Sequence, residues 1–212
     1  NLFKTAMILF ATYVVFEDPR QESNFNAIAT GLFILPFFLL SALSGQLADN
    51  MDKARIIRLV KLAEIGIMAV GGCGLLLCQA HPWIGVGLML GAVFAMGIHS
   101  TFFGPIKYAI LPQHLPEDHV LGGTGLVEAG TYIAILAGTI VAGWITPAMA
   151  AGAVFTIALA GYVAGRFVPP APRMGPPVEL DYNPFRASWR LIYGTMHIRR
   201  LFLAIRSISF FW

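Results

Sequence analysis

The chain has 212 residues, of which 57% are hydrophobic and 12% charged, and its mean hydropathy is +0.72. A soluble domain carries about 25% charged residues, so this chain has too little charge to cover a water-exposed surface. A net charge of +3 from 14 Lys and Arg excludes a nucleic-acid-binding face. Cys73 and Cys78 share one apolar run, which excludes a disulfide scaffold. The expected class is an all-α polytopic membrane protein.

A helix needs about 20 residues to cross the hydrocarbon core. The run at 2–16 is shorter and reads as the end of a first span. Lys4, counted back from Phe16 at about 1.5 Å per residue, lies too deep to reach the outer surface and is expected to face the bundle interior. Complete runs at 27–47, 56–78, 84–103, 121–145 and 148–167 give spans two to six. Pro36 reads as a kink residue in span two. The joints fall at 17–26, 48–53, 79–83, 104–120 and 146–147, and a longer connector at 168–197 follows span six. That connector is rich in proline, which makes an exposed and semi-rigid loop, and it ends in an amphipathic stretch at 184–194. The apolar run at 198–212 opens a seventh span. Both ends stop inside apolar sequence, so a fragment is expected: a six-helix bundle at 1–167, a central loop at 168–197 and the start of a seventh helix at 198–212.

Charge orients these spans. The joints after spans two, four and six, with their helix ends, hold Lys53, Arg55, Arg58, Lys61, Lys107, Arg166, Arg173, Arg186, Arg190, Arg199 and Arg200; those after spans one, three and five hold only Arg20. Positive charge stays on the cytoplasmic side, so the 2–3, 4–5 and 6–7 joints are expected there. Six helices, a long cytoplasmic loop and a seventh helix are the layout of a major facilitator half-transporter, which is built from two six-helix bundles with substrate held between them.

The 2–3 joint reads Gly45-Gln-Leu-Ala-Asp49-Asn-Met-Asp-Lys53-Ala-Arg55 and resembles the major facilitator signature. Gly45 is expected to let two helices approach closely, Asp49 to cap a helix N-terminus, and Lys53 and Arg55 to supply basic partners. Asn50 stands where that signature has arginine, and Asp52 where it has glycine. The 4–5 region reads Phe103-Gly104-Pro105-Ile106-Lys107-Tyr108-Ala109-Ile110-Leu111-Pro112 and leads into Gly125-Leu126-Val127-Glu128-Ala129. Together these stretches resemble the bacterial lysophospholipid transporter family of the major facilitator superfamily, whose members occur alone or fused to an acyltransferase and an acyl–carrier-protein synthetase. Asn1-Leu2-Phe3-Lys4 matches the end of that family's first-helix motif, whose aspartate lies just upstream, and 202–212 resembles the start of its seventh helix.

The resemblance implies a secondary transporter of the bacterial inner membrane that moves lysophospholipids, such as lysophosphatidylethanolamine, inward for reacylation. Its partners would be lysophospholipid, membrane lipids, the C-terminal six-helix bundle of the parent chain and, in fused members, an acyltransferase. No enzyme activity is expected within these residues, since no histidine has an aspartate five positions later, as glycerolipid acyltransferases require. A transporter of another solute, and a membrane domain serving a fused acyltransferase, are the alternatives. No cofactor is expected beyond a coupling cation, Na+ or H+.

The residues fit that chemistry. Lys107 follows an apolar run and the Pro105 kink, so its ammonium is expected at the inner edge of the membrane, where it suits a phosphate; the plainer role is snorkelling to anionic headgroups. Lys4, Tyr108 and Tyr132 are the other candidate substrate contacts. Glu128, inside span five, shares a side with Thr131, Tyr132, Ile135 and Thr139; an ionisable group there is a functional candidate, either binding the coupling cation or holding Lys107. Gly130, Ala134, Gly138 and Ala142 form a small-residue stripe for helix packing. Glu64 is expected to pair with Lys61 at i,i+3 and joins Asn1, Gly45, Asp49, Lys53 and Arg55 as a coupling or gating candidate. His99 lies on a stripe with Gly87, Gly91 and Ala95 and reads as a hydrogen-bonded packing histidine, with a proton relay as the other reading. His114 and His119 lack a second ligand cluster, and no metal is expected.

Overall fold

The computed structural model describes residues 1–16, 18–177 and 179–204. Helices are what the sequence dictates: in lipid every backbone polar group must be satisfied within its own segment. Among the described residues, five helices are long and apolar enough to span a membrane, and a shorter apolar one precedes them. In chain order the elements are α1 (Leu2–Phe10), continued by a π-helical turn (Ala11–Val15), α2 (Pro19–Asn50), α3 (Lys53–Leu77), α4 (Pro82–Ala109), α5 (Leu111–His114), α6 (Glu117–Ala142), α7 (Pro147–Arg166) and α8 (Pro184–Met196). Short joints make consecutive spans antiparallel, so the basic joints gather at one end.

The helices outrun the apolar runs. Pro19 starts α2 behind the cap of Asp18, which accepts from Arg20 N, so most of the expected 17–26 joint is helix; Glu17 itself lies outside the described residues. The 104–120 joint is mostly helical too: α4 continues through Pro105 to Ala109. Proline at 105 removes the N–H that the Thr101 carbonyl would accept. Ser44, fully buried on α2, donates to that carbonyl at 2.9 Å, and the helix runs on. The expected seventh span is helical over 199–204; 205–212 lie outside the described residues.

The main core joins α1, α2, α3, α4 and α7 around Phe3, Met7, Met68, Leu75, Met89, Val93 and Val154, and Ala142 of α6 completes it. Small residues let the backbones meet. A Cβ on Gly97 would overlap the Phe33 carbonyl oxygen of α2 and lie 3.0 Å from the Pro36 ring, and one on Gly85 would lie 2.6 Å from Cys78 Cα. A Cβ on Gly87 or Gly91 would meet nothing within 4 Å, so among the described residues the packing glycines of α4 are Gly85 and Gly97. On α6, Gly138 meets Leu2, whereas Gly130 has nothing within 4 Å, so only the C-terminal half of the small-residue stripe packs.

A second cluster, Ala48, Ile56, Ile57, Ile106, Ile110 and Ala171, closes the basic end. The connector after α7 is strapped there. Lys53 N donates to Ala171 O and Ala171 N to Asp52 Oδ1, both at 3.0 Å. Arg58 donates to Val168 O at 2.9 Å, and Asp181 N to Gln46 Oε1 at 2.7 Å. Asp181 also accepts from Arg186 and stands 3.4 Å from Arg190 of α8, and the Arg186 guanidinium holds its carboxyl below the usual aspartate range.

Candidate functional site

The last turn of α4 carries Lys107 and Tyr108 side by side, and two turns of α6 face them. Lys107 Nζ donates to Thr131 Oγ1 at 3.2 Å and lies 4.7 Å from the centre of the Tyr108 ring. The Tyr108 hydroxyl donates to Glu128 Oε1. Helical periodicity explains the set: Thr131 and Glu128 are three residues apart on one face of α6, and Lys107 and Tyr108 fan across the end of α4. All four are partly buried. Glu128 therefore takes Tyr108 as its partner, and Lys107 takes Thr131; of the two readings of Glu128, holding Lys107 is not the one seen. Tyr132 is 55% exposed and stands outside this bonded set. Along its length α6 presents Leu126, Ile133, Leu136 and Ile140 outward.

The 2–3 signature divides differently from its sequence reading. Gly45 has nothing within 4 Å, so it marks no close helix contact. Asp49 is exposed in the last turn of α2. The cap of α3 is Asp52, which accepts from Ala54 N at 2.9 Å as well as from Ala171 N. Those backbone donors, Ala171 first, hold its carboxyl below the ordinary aspartate value. An aspartate directly before Lys53-Ala54-Arg55 is itself an N-cap signal, and it was legible. Lys53 is buried at the first helical position and Arg55 is exposed. Asp49 and Lys53 line one cavity of about 450 Å³ with Ala109, Pro112, Gln113 and Met174.

On the opposite flank of α4, Lys61 and Glu64 form the expected i,i+3 pair at 2.8 Å. His99 joins them: its Nε2 stands 3.3 Å from Glu64 Oε2, and its ring stacks on Phe103. Pairing residues 64 and 99 depends on how α3 crosses α4, which no local pattern encodes. Lys4 packs over the Phe33 ring, 5.1 Å from its centre, and lines a cavity of about 140 Å³ with Asn1, Phe3, Val93, Met96 and Ser100. It faces the interior, far along α4 from Lys107. The candidates thus fall into four groups: Lys107, Tyr108 and Glu128; Asp49 and Lys53; Glu64 with Lys61 and His99; and Asn1 with Lys4.

The chain is 28% identical over 172 residues to the lysophospholipid transporter LplT of Salmonella heidelberg, an alignment covering 80% of this chain and 40% of that protein. Against the lysophospholipid transporter LplT of Cronobacter sakazakii it is 26% identical over 213 residues, covering 98% of this chain and 47% of that protein. The chain thus spans less than half the length of these curated relatives. No solved structure matches it. Residues 20–211 match the family described as transmembrane secretion effector. With its membrane-length helices and antiparallel order, the chain is a multi-pass membrane protein belonging to that major facilitator family.

Proposed function

We propose that these residues form the first half of a lysophospholipid transporter of the bacterial inner membrane, with 1–167 as its first bundle, 168–197 as the cytoplasmic linker and 198–212 opening the second half. The observation that carries this reading is the Lys107–Thr131 and Tyr108–Glu128 bonding between α4 and α6. A lysophospholipid has one acyl chain, a phosphate and a glycerol. Lys107, held by a hydroxyl rather than neutralised by a carboxylate, keeps its charge available for a phosphate. The outward apolar residues of α6 offer a path for the chain. Glu128 and Tyr108 border the headgroup, and Lys4 lies deeper along the route. The names of the relatives supply the substrate class. A coupling cation completes the reading, with release toward the cytoplasm for reacylation, in some proteins by a fused acyltransferase.

The test is uptake of labelled lysophosphatidylethanolamine by spheroplasts that lack their own lysolipid transporter and express the complete chain. A hydrogen bond to a charged group is worth about 1.5–3 kcal/mol, which is about ten- to a hundredfold in binding. Lys107→Ala should lower uptake by that factor at unchanged membrane abundance, and Glu128→Gln should lower it less. Excess unlabelled lysolipid should compete, and polar solutes should not. Equal uptake by Lys107→Ala at equal abundance would remove the phosphate role.

A further inference from the structure

Helix α8 turns an apolar stripe outward. At about 3.6 residues per turn, Phe185, Trp189, Ile192, Tyr193 and Met196 share one face, and all five are exposed, Phe185 and Trp189 each by 65%. Ala187, on the other side, is buried, and α8 packs against α2. Arg186 and Arg190, one turn apart, run along one border of the stripe.

The helix is held at the basic end of the bundle from both of its own ends. Before it, Asp181 N donates to Gln46 Oε1 near the end of α2 at 2.7 Å. After it, only His197 and Ile198 separate Met196 from the helix at 199–204, where the seventh span is expected to begin. A helix tethered this way lies along the surface rather than standing off it. Its first apolar residue already reaches the span: the Phe185 and Phe38 rings are 6.2 Å apart. Phe38 is exposed on α2 and stands about 12 Å deeper in the span than Gln46. The stripe of α8 thus continues the outer apolar wall of α2.

The composition of the stripe fits lipid. Trp and Tyr gather at the membrane–water boundary, and a helix with an apolar face bordered by cations lies in that boundary with the apolar face toward the acyl chains. Charge selects the lipid. Arg186 donates to Asp181 through both Nε and Nη2, so the aspartate neutralises that arginine. Arg190 brings Nη1 to 3.4 Å from the same carboxylate and is largely exposed. Arg199 and Arg200 are exposed just beyond α8. One aspartate against four arginines leaves residues 181–200 cationic.

We propose that α8 is an in-plane membrane anchor: its stripe lies in the acyl boundary of the leaflet at the basic end, and Arg190, Arg199 and Arg200 bind the phosphates of anionic phospholipids. This holds whatever solute the chain carries, so it stands apart from the transport reading.

Spin labels test the placement. In a cysteine-free form of the complete chain, with Cys73 and Cys78 replaced by alanine, nitroxides are placed one at a time along 185–196. The protein is put in bilayers of phosphatidylethanolamine and phosphatidylglycerol. Oxygen concentrates in lipid and a nickel chelate in water. The ratio of oxygen to nickel collisions should rise and fall with the helical period, highest at 185, 189, 192 and 196 and lowest at 190 and 194. Nickel access along the whole helix would overturn the proposal, and so would a stripe that neither reagent reaches because protein covers it. A second arm tests the charge. Replacing phosphatidylglycerol by phosphatidylcholine should lower the ratio at 192 at least about twofold. Arg190→Gln, which leaves Arg186 on Asp181, should lower it in the anionic bilayer and leave it unchanged in the neutral one. A wild-type ratio indifferent to lipid charge would overturn the phosphate contacts.

Discussion

Helix α4 has two unlike neighbours. Toward α2 and α3 it is close-packed: Gly97 touches backbone, and Met89 and Val93 are fully buried. The polar groups at this side, Ser44, Thr101 and His99, are buried too. Toward α6 it makes polar contacts at one end, Lys107 to Thr131 and Tyr108 to Glu128, and most of α6 stays exposed, Leu126 and Ile133 among it. The difference teaches where the bundle spends its stability. Lipid tails are as apolar as leucine, so helices in a membrane associate through close packing and hydrogen bonds rather than through apolar area. The side with glycines is close-packed, and the side with a lysine and an open wall is the one that the proposed lysolipid path uses.

The largest way to break that contrast is to add volume on each side. Gly97→Leu drives a side chain into the Phe33 carbonyl and the Pro36 ring, and overpacking of this kind costs about 1–3 kcal/mol or more. It should lower the thermal midpoint of the detergent-solubilised protein by many degrees or abolish folded yield. Gly130→Leu, in open space on α6, should leave the midpoint unchanged. A matching loss at both positions would mean that α6 is packed as tightly as α3.

How legible this was in the sequence differs between the two sides. The spans, their order and the Lys61–Glu64 pair follow from periodicity and i,i+3 spacing, which are local. The grouping of Lys107, Tyr108 and Glu128 was half legible, because the 4–5 region placed them near one joint; the partners were not, since choosing Thr131 over Glu128 for Lys107 depends on the rotation of α6. Asp52 was seen only as a departure from a signature, although its position before a helix made it a cap. Gly45 and Gly130 misled because a small residue permits a close contact without requiring one. His99 meeting Glu64 was beyond local reading.

A smaller effect sharpens the packed side. Ser44 donates to the carbonyl that Pro105 leaves without its helical donor. Ser44→Ala should orphan that carbonyl and cost about 1–2 kcal/mol. The double variant Ser44→Ala, Pro105→Ala returns an N–H at position 105 and should recover most of the loss. Thermal midpoints of the three chains check this. Additive losses would show that the serine works through something other than the Thr101 carbonyl.

The smallest expected effect lies at the end of the packed side, at the strap between α3 and the connector. Asp52 caps α3 and holds Ala171, so Asp52→Ala should cost about 1 kcal/mol. The origin of that contribution can be read from its pH dependence. The folded carboxyl lies below its ordinary value of 3.8 because backbone N–H groups favour the ionised form. Its contribution is therefore complete above that value and fades as pH falls through the folded value, because the unfolded chain takes up its proton first. Other acids protonate in the same range, but they do so in wild type and variant alike. The difference in thermal midpoint between wild type and Asp52→Ala should hold constant from neutral pH down to about 4 and shrink below it. A difference that persists unchanged at pH about 3 would mean that Asp52 acts through the shape of its cap rather than its charge, and that the strap does not depend on an ionised carboxylate.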